Sequence, residues 1–371
     1  MIGKNSWYDI AEIDRIDSPA LVVYKDRIVD NLRKMVKLTG DPSRLMPHVK
    51  THKMMDIVRL HLDMGIRQFK CATIAEAEML GMAGAERVLI AIQPVGPKYR
   101  RIVSLINKYP EVHYSVIVDN PGVVLEIAEL MVVSETEIGV YIDLNVGMNR
   151  TGIIIGEEAK ELAKLCNSLE GINFEGFHAY DGHIMNSNLS ERTALYNNEF
   201  SAVYDLVEFA AKKLGRKLNL IAGGTPTFPI HASEKGTICS PGTTVLWDYN
   251  SDERFPDLPF EYAALVITRV ISKIGDKMIC LDLGHKAIAA ENPLPRVKFI
   301  NHPEVIPVSQ SEEHMIAEVP DNSKYQLGEV LYGVPRHICP TCALYQEAVV
   351  VVDNQWVGNW KVTARDRFLT V

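Results

Sequence analysis

Residues 46–53, MPHVKTHK, end a predicted strand (residues 43–47) and precede a predicted helix (residues 54–64). This order of a short apolar strand and a longer helical segment recurs as far as about residue 245. The other predicted strands end at Ala72, Ile92, Val118, Leu144, His178, Ala222 and Ser240. Eight strand–helix units at this spacing predict a (β/α)8 TIM-like barrel rather than an open doubly wound sheet.

The pattern changes after about residue 255, where short strands are separated by turns and helical periodicity is weak. Strands are predicted at 260–272, 277–282, 315–319, 329–332 and 347–353, and another at 18–24. Helices between the barrel strands are predicted at 74–83, 98–108, 122–130, 157–168 and 190–214. We therefore expect an α/β protein with a barrel over residues 25–250 and a second, mostly β domain over residues 1–24 plus 251–371.

Composition narrows the class of protein. The 371 residues are 47% hydrophobic and 23% charged, which is ordinary for a globular enzyme. A net charge of -8 argues against nucleic acid as the main partner, and no apolar run is long enough to span a bilayer. The six cysteines are widely spread and predict no disulfide framework. Together with the acidic residues near the N-terminus, these features predict a cytoplasmic location.

Lys50 is the first candidate catalytic residue. An enzyme that bonds an aldehyde to a lysine needs that amine at a strand end, partly desolvated and near other cations, so that the neutral form is populated. His48, His52 and Lys53 lie within three residues of Lys50 and offer such surroundings. The alternative is a solvated basic turn, and these eight residues alone do not decide between the two.

Two glycine-rich loops follow the last two predicted barrel strands. Gly223-Gly224-Thr225-Pro226-Thr227 follows the seventh, and Ser240-Pro241-Gly242-Thr243-Thr244 follows the eighth. Barrels of this type commonly hold phosphate in these loops, where glycine lets backbone N–H groups approach an anion. Each loop alone is most simply a turn. Together with Lys50 they indicate pyridoxal 5′-phosphate, which has both an aldehyde and a phosphate.

Two more loops offer polar groups on the same face of the barrel. Arg150 follows the fifth strand, where it can reach a cofactor oxygen or a substrate carboxylate, or only form a salt bridge at the rim. The sixth strand leads into Phe177-His178-Ala179-Tyr180-Asp181-Gly182-His183. A histidine can move protons near neutral pH, and we favour His183 over His178 because it lies beyond the strand end.

The sequence Arg336-His337-Ile338-Cys339-Pro340-Thr341-Cys342 is the candidate metal site. If this segment is a strand, His337 and Cys339 share one face, and an imidazole with a thiolate favours zinc over magnesium or calcium. One alternative is a redox pair of Cys339 and Cys342, although such a motif normally begins a helix after a strand, whereas this region is predicted to be all β. A second alternative is buried, inert cysteines.

Together these motifs resemble the fold-type III pyridoxal phosphate enzymes with the alanine racemase-like barrel, and above all their metal-dependent branch of D-threonine aldolases and D-serine dehydratases. The resemblance implies that Lys50 carries the internal aldimine and that His337 and Cys339 bind a divalent metal, zinc or manganese. It also implies a small-molecule D-amino acid substrate and a homodimer. The implied cofactor contacts are Lys50, Arg150, Tyr180, Gly223, Gly224, Thr225, Gly242 and Thr243.

Two reactions remain open within that branch. Aldolases of this group typically have His-x-Asp at the metal, and dehydratases have His-x-Cys, as in this chain. Asp181-Gly182-His183, however, resembles the aldolase loop whose histidine accepts a proton. We expect a lyase acting on D-β-hydroxy-amino acids, with aldol cleavage to glycine and an aldehyde ahead of dehydration of D-serine or D-3-hydroxyaspartate to a keto acid and ammonia. A racemase is a remoter alternative, and His285, Lys286 and His314 receive no role.

Overall fold

The computed structural model describes residues 6–371, so the first five residues of the predicted segment 1–24 lie outside the described part. The chain divides into two compact units. One contains Met35–Lys50, Ile57–Gly242 and Asp366–Val371, and is called the barrel unit below. The other contains the described residues up to Lys34, Thr51–Asp56 and Thr243–Arg365, and is called the β unit.

A parallel sheet forms the centre of the barrel unit. In spatial order its strands are Gln68–Cys71, Arg87–Ile90, His113–Val118, Ile138–Asn145, Ile172–Ala179, Asn219–Ala222 and Thr237–Cys239, and the short strand Ile153–Ile154 pairs with Ile138–Asn145. Residues 45–48 close this sheet. Leu45 bridges in parallel to Cys239, and His48 bridges in parallel to Lys70. These residues therefore act as the eighth barrel strand, which confirms the predicted (β/α)8 barrel.

The helices follow the strands as the sequence predicts. Within the described residues they are Lys25–Thr39, Met55–Asp63, Ile74–Ala83, Lys98–Lys108, Pro121–Val133, Glu157–Ser168, Leu189–Leu214, Phe228–Ser233, Tyr249–Arg254 and Ile338–Cys342. Local signals fix several ends. Thr73 caps the helix Ile74–Ala83 by accepting from the N–H of Glu76, and Gly84 ends that helix at a φ of 85°.

An apolar cluster joins the strands of the barrel unit. Met46, Leu89, Ile117, Tyr141 and Ile221 form a cluster there, and none is more than 4% exposed. Because successive strand residues point to opposite faces, each strand supplies side chains both to this interior and to the surrounding helices. The carboxyl ends of the parallel strands are left to present loops, as in other barrels of this type.

A nine-stranded, mostly antiparallel sheet forms the centre of the β unit. Its main path, in spatial order, is Ile306–Gln310, Met315–Glu318, Met278–Leu281, Ala264–Ile274, Ala20–Tyr24, Glu347–Val352 and Gln355–Lys361, while Val330–Pro335 pairs with Ala264–Ile274 and Val297–Phe299. The predicted strand at 18–24 therefore belongs to this sheet and not to the barrel.

The core of the β unit combines residues from distant parts of the chain. Val22, Leu265, Ile267 and Val351 are among its buried members. Short 3-10 helices are found at Ile13–Arg15, Pro42–Arg44, Val49–Thr51, Thr243–Val245, Asn322–Lys324 and Thr363–Arg365. Among residues 6–371 the structure has no helix long and apolar enough to cross a membrane.

The sequence was read wrongly at residues 337–342. We expected a strand that would place His337 and Cys339 on one face, but Ile338–Cys342 is a helix and His337 is its N-terminal capping position. The helix directly follows the strand Val330–Pro335. Pro340 explains the difference, because proline favours the first turn of a helix and lacks the N–H that a strand would use.

Candidate active site

Lys50 lies in the 3-10 helix Val49–Thr51, directly after the barrel strand at 45–48. Its side chain is exposed, whereas the sequence argument expected a partly desolvated amine. His48 lies beside it, but the Nδ1 atom of His48 accepts a hydrogen bond from the Lys50 backbone N–H at 3.3 Å. His48 therefore shapes the turn, and this nitrogen does not act as a positive neighbour.

The positive charges near Lys50 come from other strands. The Nζ atom of Lys50 lies 6.0 Å from the centre of the Tyr180 ring, the Nζ atom of Lys70 5.7 Å and the Cζ atom of Arg150 5.0 Å. Three basic side chains thus converge on one aromatic ring at the carboxyl ends of the barrel strands. Such an arrangement attracts an anion with a flat ring.

Lys70 belongs to a buried chain of polar side chains. Its Nζ atom lies 3.4 Å from Nε2 of His178, and Nδ1 of His178 lies 2.7 Å from a carboxylate oxygen of Asp143. The hydroxyl of Thr151 donates to the other Asp143 oxygen at 2.8 Å. Lys70, His178 and Asp143 are each less than 5% exposed. The polar groups of these three side chains are therefore shielded from solvent.

Burial sets the protonation of this chain. Burial, followed by the positive charge of Lys50, lowers the pKa of Lys70 to about 7. Burial and the charge of Lys70 also lower the pKa of His178, so its imidazole is neutral at pH 7. Burial alone would raise the pKa of Asp143, but hydrogen bonds from His178 and Thr151 outweigh it and hold the pKa below its usual value. The amine of Lys70 is thus the group that changes charge near neutral pH.

The two glycine loops lie side by side. The backbone N–H of Gly242 donates to the Thr225 hydroxyl at 3.3 Å. The N–H of Gly224 already donates to Asp181 at 3.0 Å. Gly223 has a φ of 85°, and a Cβ atom there would lie 2.4 Å from the His231 ring, so this position requires glycine. The assignment of these loops to phosphate remains a prediction.

A buried histidine–aspartate pair supports the first of these loops. Nε2 of His231 lies 2.8 Å from an Asp181 oxygen, and both side chains are fully buried. The charge of His231 and its hydrogen bond hold the pKa of Asp181 below its usual range despite burial, which alone would raise it. Because Asp181 also accepts from Gly224, the pair links the loops after the strands Ile172–Ala179 and Asn219–Ala222.

His183 has a partner that the sequence did not reveal. Its Nε2 atom lies 2.8 Å from Glu199, a residue of the helix Leu189–Leu214. Its Nδ1 atom is buried, and in the described part of the chain that atom has no hydrogen-bond partner. Gly147 packs against the ring, where a Cβ atom would lie 2.7 Å from Nε2. With Glu199 accepting from Nε2–H, Nδ1 is left as a proton acceptor.

His337 and Cys339 lie in the β unit and contact each other. A hydrogen bond to Cys339 and the thiolate charge raise the pKa of His337 to about 9, although burial favours the neutral ring. The same pairing lowers the pKa of Cys339, whose burial alone would raise it. The Sγ atom of Cys339 lies 3.2 Å from the Thr51 hydroxyl and 3.7 Å from the Thr243 hydroxyl. Thr243 therefore lies beside this pair.

The side chains present fit the two groups that the sequence implies. An exposed amine and two further basic side chains around Tyr180 suit an aldehyde-bearing, anionic aromatic cofactor. A thiolate with an imidazole suits a borderline-soft divalent ion. Residues 6–371 contain no cluster of three or more histidine, cysteine, aspartate or glutamate side chains that could hold a metal. The pair would leave the remaining positions to water or substrate.

Two residues of the site, Lys70 and Asp143, were missed from sequence, and a third, His178, was ranked too low. Lys70, Asp143 and His178 are each a buried, ionisable residue near the carboxyl end of a barrel strand. Buried parallel strands are normally apolar throughout, so a charged residue in one is a usable signal. From sequence, only His178 of these three received attention, and it was ranked below His183. Lys286, which received no role, forms exposed ion pairs with Glu312 and Glu313.

Comparison with known proteins adds family information. The chain matches the family described as alanine racemase, N-terminal domain, over residues 23–249. It matches the family described as putative serine dehydratase domain over residues 263–351. Together the two matches cover most of the chain, and they confirm the resemblance inferred from the motifs.

Individual relatives cover nearly the full length. A D-threonine aldolase from Arthrobacter sp is 28% identical over 357 residues, which span 95% of this chain and 93% of the aldolase. A 3-hydroxy-D-aspartate aldolase from Paracoccus denitrificans is 26% identical, with 98% and 97% covered. The crystal structure of a D-threonine aldolase from Filomicrobium marinum superposes with a TM-score of 0.88 at 26% identity, covering 96% of this chain and 98% of that chain.

Proposed function

The chain belongs to the family of the alanine racemase N-terminal domain, and from that premise we propose that it is a pyridoxal phosphate-dependent lyase that cleaves D-β-hydroxy-amino acids to glycine and an aldehyde. The observation that carries this proposal is the convergence of Lys50, Lys70 and Arg150 on the Tyr180 ring. The aldolase reaction is favoured by His183. Glu199 contacts its Nε2 atom, which leaves the buried Nδ1 atom as the acceptor.

The residues of the barrel unit have defined tasks in this proposal. Lys50 would hold the cofactor aldehyde through its exposed amine. Arg150 and Tyr180 would face the cofactor ring, and Gly223, Gly224, Thr225, Gly242 and Thr243 remain the proposed phosphate contacts. Pyridoxal phosphate, when bound, supplies an electron sink for the bonds at the substrate Cα atom. His183 would accept the proton of the substrate β-hydroxyl, since its Nδ1 atom has a lone pair.

His337 and Cys339 are the proposed metal ligands. A divalent ion held there, zinc or manganese, would supply Lewis acidity that lowers the pKa of a coordinated hydroxyl. We also propose a homodimer located in the cytoplasm and domain boundaries near residues 25 and 250. These points rest on the resemblance and the sequence.

Dehydration is the second candidate, because the thiolate ligand Cys339 is typical of the dehydratases in this branch, and residues 263–351 match the putative serine dehydratase domain. The two reactions use the same groups and differ in which substrate bond breaks. The products therefore distinguish them.

The test uses purified protein loaded with pyridoxal phosphate. It is mixed with D-threonine, with D-serine and with L-threonine as a stereochemical control, with and without a chelator. We expect acetaldehyde and glycine from D-threonine, no product from L-threonine, and loss of activity on chelation. Pyruvate and ammonia from D-serine would make the protein a dehydratase, and a protein with no borohydride-sensitive visible absorption would contradict both reactions.

A further inference from the structure

The helix Ile338–Cys342 gives Cys339 and Cys342 the placement of a redox pair. A Cys-x-x-Cys motif of that kind normally begins a helix directly after a strand. This helix directly follows the strand Val330–Pro335, so the placement that the sequence did not predict is present. Cys339 is a proposed metal ligand, whereas Cys342 has no task in the proposed reaction.

The spacing of the two cysteines suits a disulfide. They are three positions apart in one helix, where Cα atoms lie about 5 Å from each other. A disulfide accepts Cα separations of about 4.4 to 6.8 Å. The Cβ atoms of such residues are about 5 to 6 Å apart and must approach to about 4 Å. A small tightening of this single turn provides that approach.

Hydrogen bonds on both sides hold the main chain of this turn. The N–H of Ile338 donates to a carboxylate oxygen of Asp248 at 3.1 Å. The hydroxyl of Thr341 donates to the carbonyl of His337 at 2.8 Å and accepts from the N–H of Ala289 at 3.2 Å. None of these three hydrogen bonds uses a sulfur atom, so a bond between the two sulfurs would leave them in place.

Burial assigns different tasks to the two sulfur atoms. Of the six cysteines, which all lie in the described part of the chain, Cys339 alone is partly exposed and the other five are buried. Cys342 is fully buried. An oxidant from solvent therefore reaches Cys339 first, because susceptibility follows exposure. Cys342 is the neighbouring thiol that is placed to react next.

We propose that Cys339 and Cys342 form a reversible disulfide, and that this disulfide and the metal exclude each other. The metal needs the thiolate of Cys339, and a sulfur that is bonded in a disulfide is no longer a thiolate. Metal bound to Cys339 would in turn shield that sulfur from the oxidant. The disulfide itself does not depend on the proposed function, but its consequence does, because loss of the proposed metal would stop the lyase reaction.

Hydrogen peroxide is an oxidant that balances this step. The sulfur of Cys339, having released its proton, breaks the O–O bond of the peroxide and forms an S–O bond, and hydroxide leaves. The sulfur of Cys342 then bonds to that of Cys339, and the S–O bond breaks to release water with the proton of Cys342. Two thiols thereby lose two electrons and two protons, and one peroxide becomes two waters. A dithiol reverses the reaction by exchange.

The test follows the two thiols and the bound zinc in the same samples. Reduced protein, either freed of metal by a chelator or loaded with zinc, is treated with hydrogen peroxide, and the remaining thiols are alkylated. The tryptic peptide 337–361 contains Cys339 and Cys342 and no other cysteine. In metal-free protein we expect this peptide to lose two hydrogen atoms and both alkylation sites, and the protein to lose its capacity for zinc. Dithiothreitol should restore both, and zinc-loaded protein should be oxidised at least about tenfold more slowly.

Cys342→Ala separates the disulfide from the metal. This variant should bind zinc as the unchanged protein does, but peroxide should take its Cys339 to products that dithiothreitol does not reduce. Cys280→Ala is the matched control, because Cys280 is a buried cysteine on the strand Met278–Leu281 of the same unit. It should behave as the unchanged protein does. Circular dichroism checks the folding of each variant, and Cys342→Ser replaces Cys342→Ala if that protein does not fold.

Two free thiols in the peptide 337–361 after peroxide treatment of metal-free protein would overturn the inference. A protein that contains the disulfide and still keeps its zinc would also overturn it. Failure of the proposed function has a separate signature. In that case the reduced protein would bind no zinc and zinc would not slow the oxidation, so the disulfide would stand while its competition with the metal would be overturned.

Discussion

At the scale of single residues, the tautomer of His183 depends on one neighbour. Glu199 lies 2.8 Å from Nε2, while the buried Nδ1 atom has no partner in the described residues. A carboxylate can only accept, so it holds the proton on Nε2 and leaves Nδ1 basic. The same carboxylate stabilises the imidazolium that forms when His183 takes a proton. Glu199 therefore prepares the histidine for its proposed task.

Replacement of Glu199 by glutamine should impair His183 without removing it. The glutamine amide can donate to Nε2, which would move the ring proton to Nδ1 and block the acceptor. We expect kcat for D-threonine cleavage to fall by about 10²- to 10⁴-fold, with a smaller change in KM. His183→Ala should show a loss of similar size.

Glu208→Gln is the matched control, because Glu208 is an exposed residue of the same helix, Leu189–Leu214. Its kinetics should equal those of the unchanged protein. Cleavage at near full rate in Glu199→Gln would show that the ring tautomer is unimportant, and full activity in His183→Ala would remove His183 from the reaction.

The site could be predicted from sequence where a motif is local. Lys50, Arg150 and Tyr180 were all singled out, and the structure brings them around one ring. The partners of Glu199 and Lys70 could not be found this way, because each pairing joins residues that are distant in sequence. The local sequence around a glutamate in a helix, or around a lysine in a short strand, does not indicate which distant residue that side chain contacts.

At the scale of secondary structure elements, Glu175 ties strands together near their amino ends. It lies on Ile172–Ala179 and accepts two hydrogen bonds at 2.8 Å from Arg87, the first residue of Arg87–Ile90. It also contacts His113, the first residue of His113–Val118, and accepts from Ser115 at 3.2 Å. Burial alone would raise the pKa of Glu175, but His113 and Arg87 lower it to about 2.

This low pKa makes barrel stability depend on pH in one direction. A carboxyl group with a depressed folded pKa stabilises the protein above its unfolded pKa, near 4.5, and this contribution is lost as the pH falls toward 2. We expect the stability difference between the unchanged protein and Glu175→Gln to shrink by about 2 kcal/mol between pH 5.5 and pH 3. Urea unfolding at several pH values measures it.

Glu161→Gln provides the control for this experiment, since Glu161 forms an exposed ion pair with Lys164. Its stability difference should be small and nearly constant with pH. If the difference in unfolding free energy between the unchanged protein and Glu175→Gln is the same at pH 5.5 and pH 3, the carboxylate of Glu175 is not selectively stabilised by its neighbours.

Elements with a strong period were predicted well, and a short element was not. The helices Ile74–Ala83, Lys98–Lys108 and Glu157–Ser168 have the predicted bounds. The helix Ile338–Cys342 was read as a strand, since five residues contain too little of either period to decide. His337 occupies the N-terminal capping position of this helix and Cys339 lies in its first turn. The two residues are therefore brought together by the beginning of a helix and not by one face of a strand.

At the scale of the whole molecule, the early part of the chain completes structure built mainly from the late part. Ala20–Tyr24 pairs antiparallel with Ala264–Ile274 and parallel with Glu347–Val352. Such pairings join residues more than 240 positions apart. The sequence showed that a strand exists near residue 20, but its place in the sheet follows from long-range pairing that no local pattern encodes.

A charge placed in this strand should therefore disrupt the late part of the chain. Val22 is fully buried and pairs with both Leu265 and Val349. Val22→Asp would bury an unpaired carboxylate, at a cost of roughly several kcal/mol, and we expect the amide protons of the nine-stranded sheet to lose protection in hydrogen exchange. Val357→Asp, on the outer strand of the same sheet and 58% exposed, should leave protection unchanged. Equal protection in the two variants would mean that the sheet does not depend on its first strand. The strands Ala264–Ile274 and Glu347–Val352 would then stay folded without the pairing that Val22 provides.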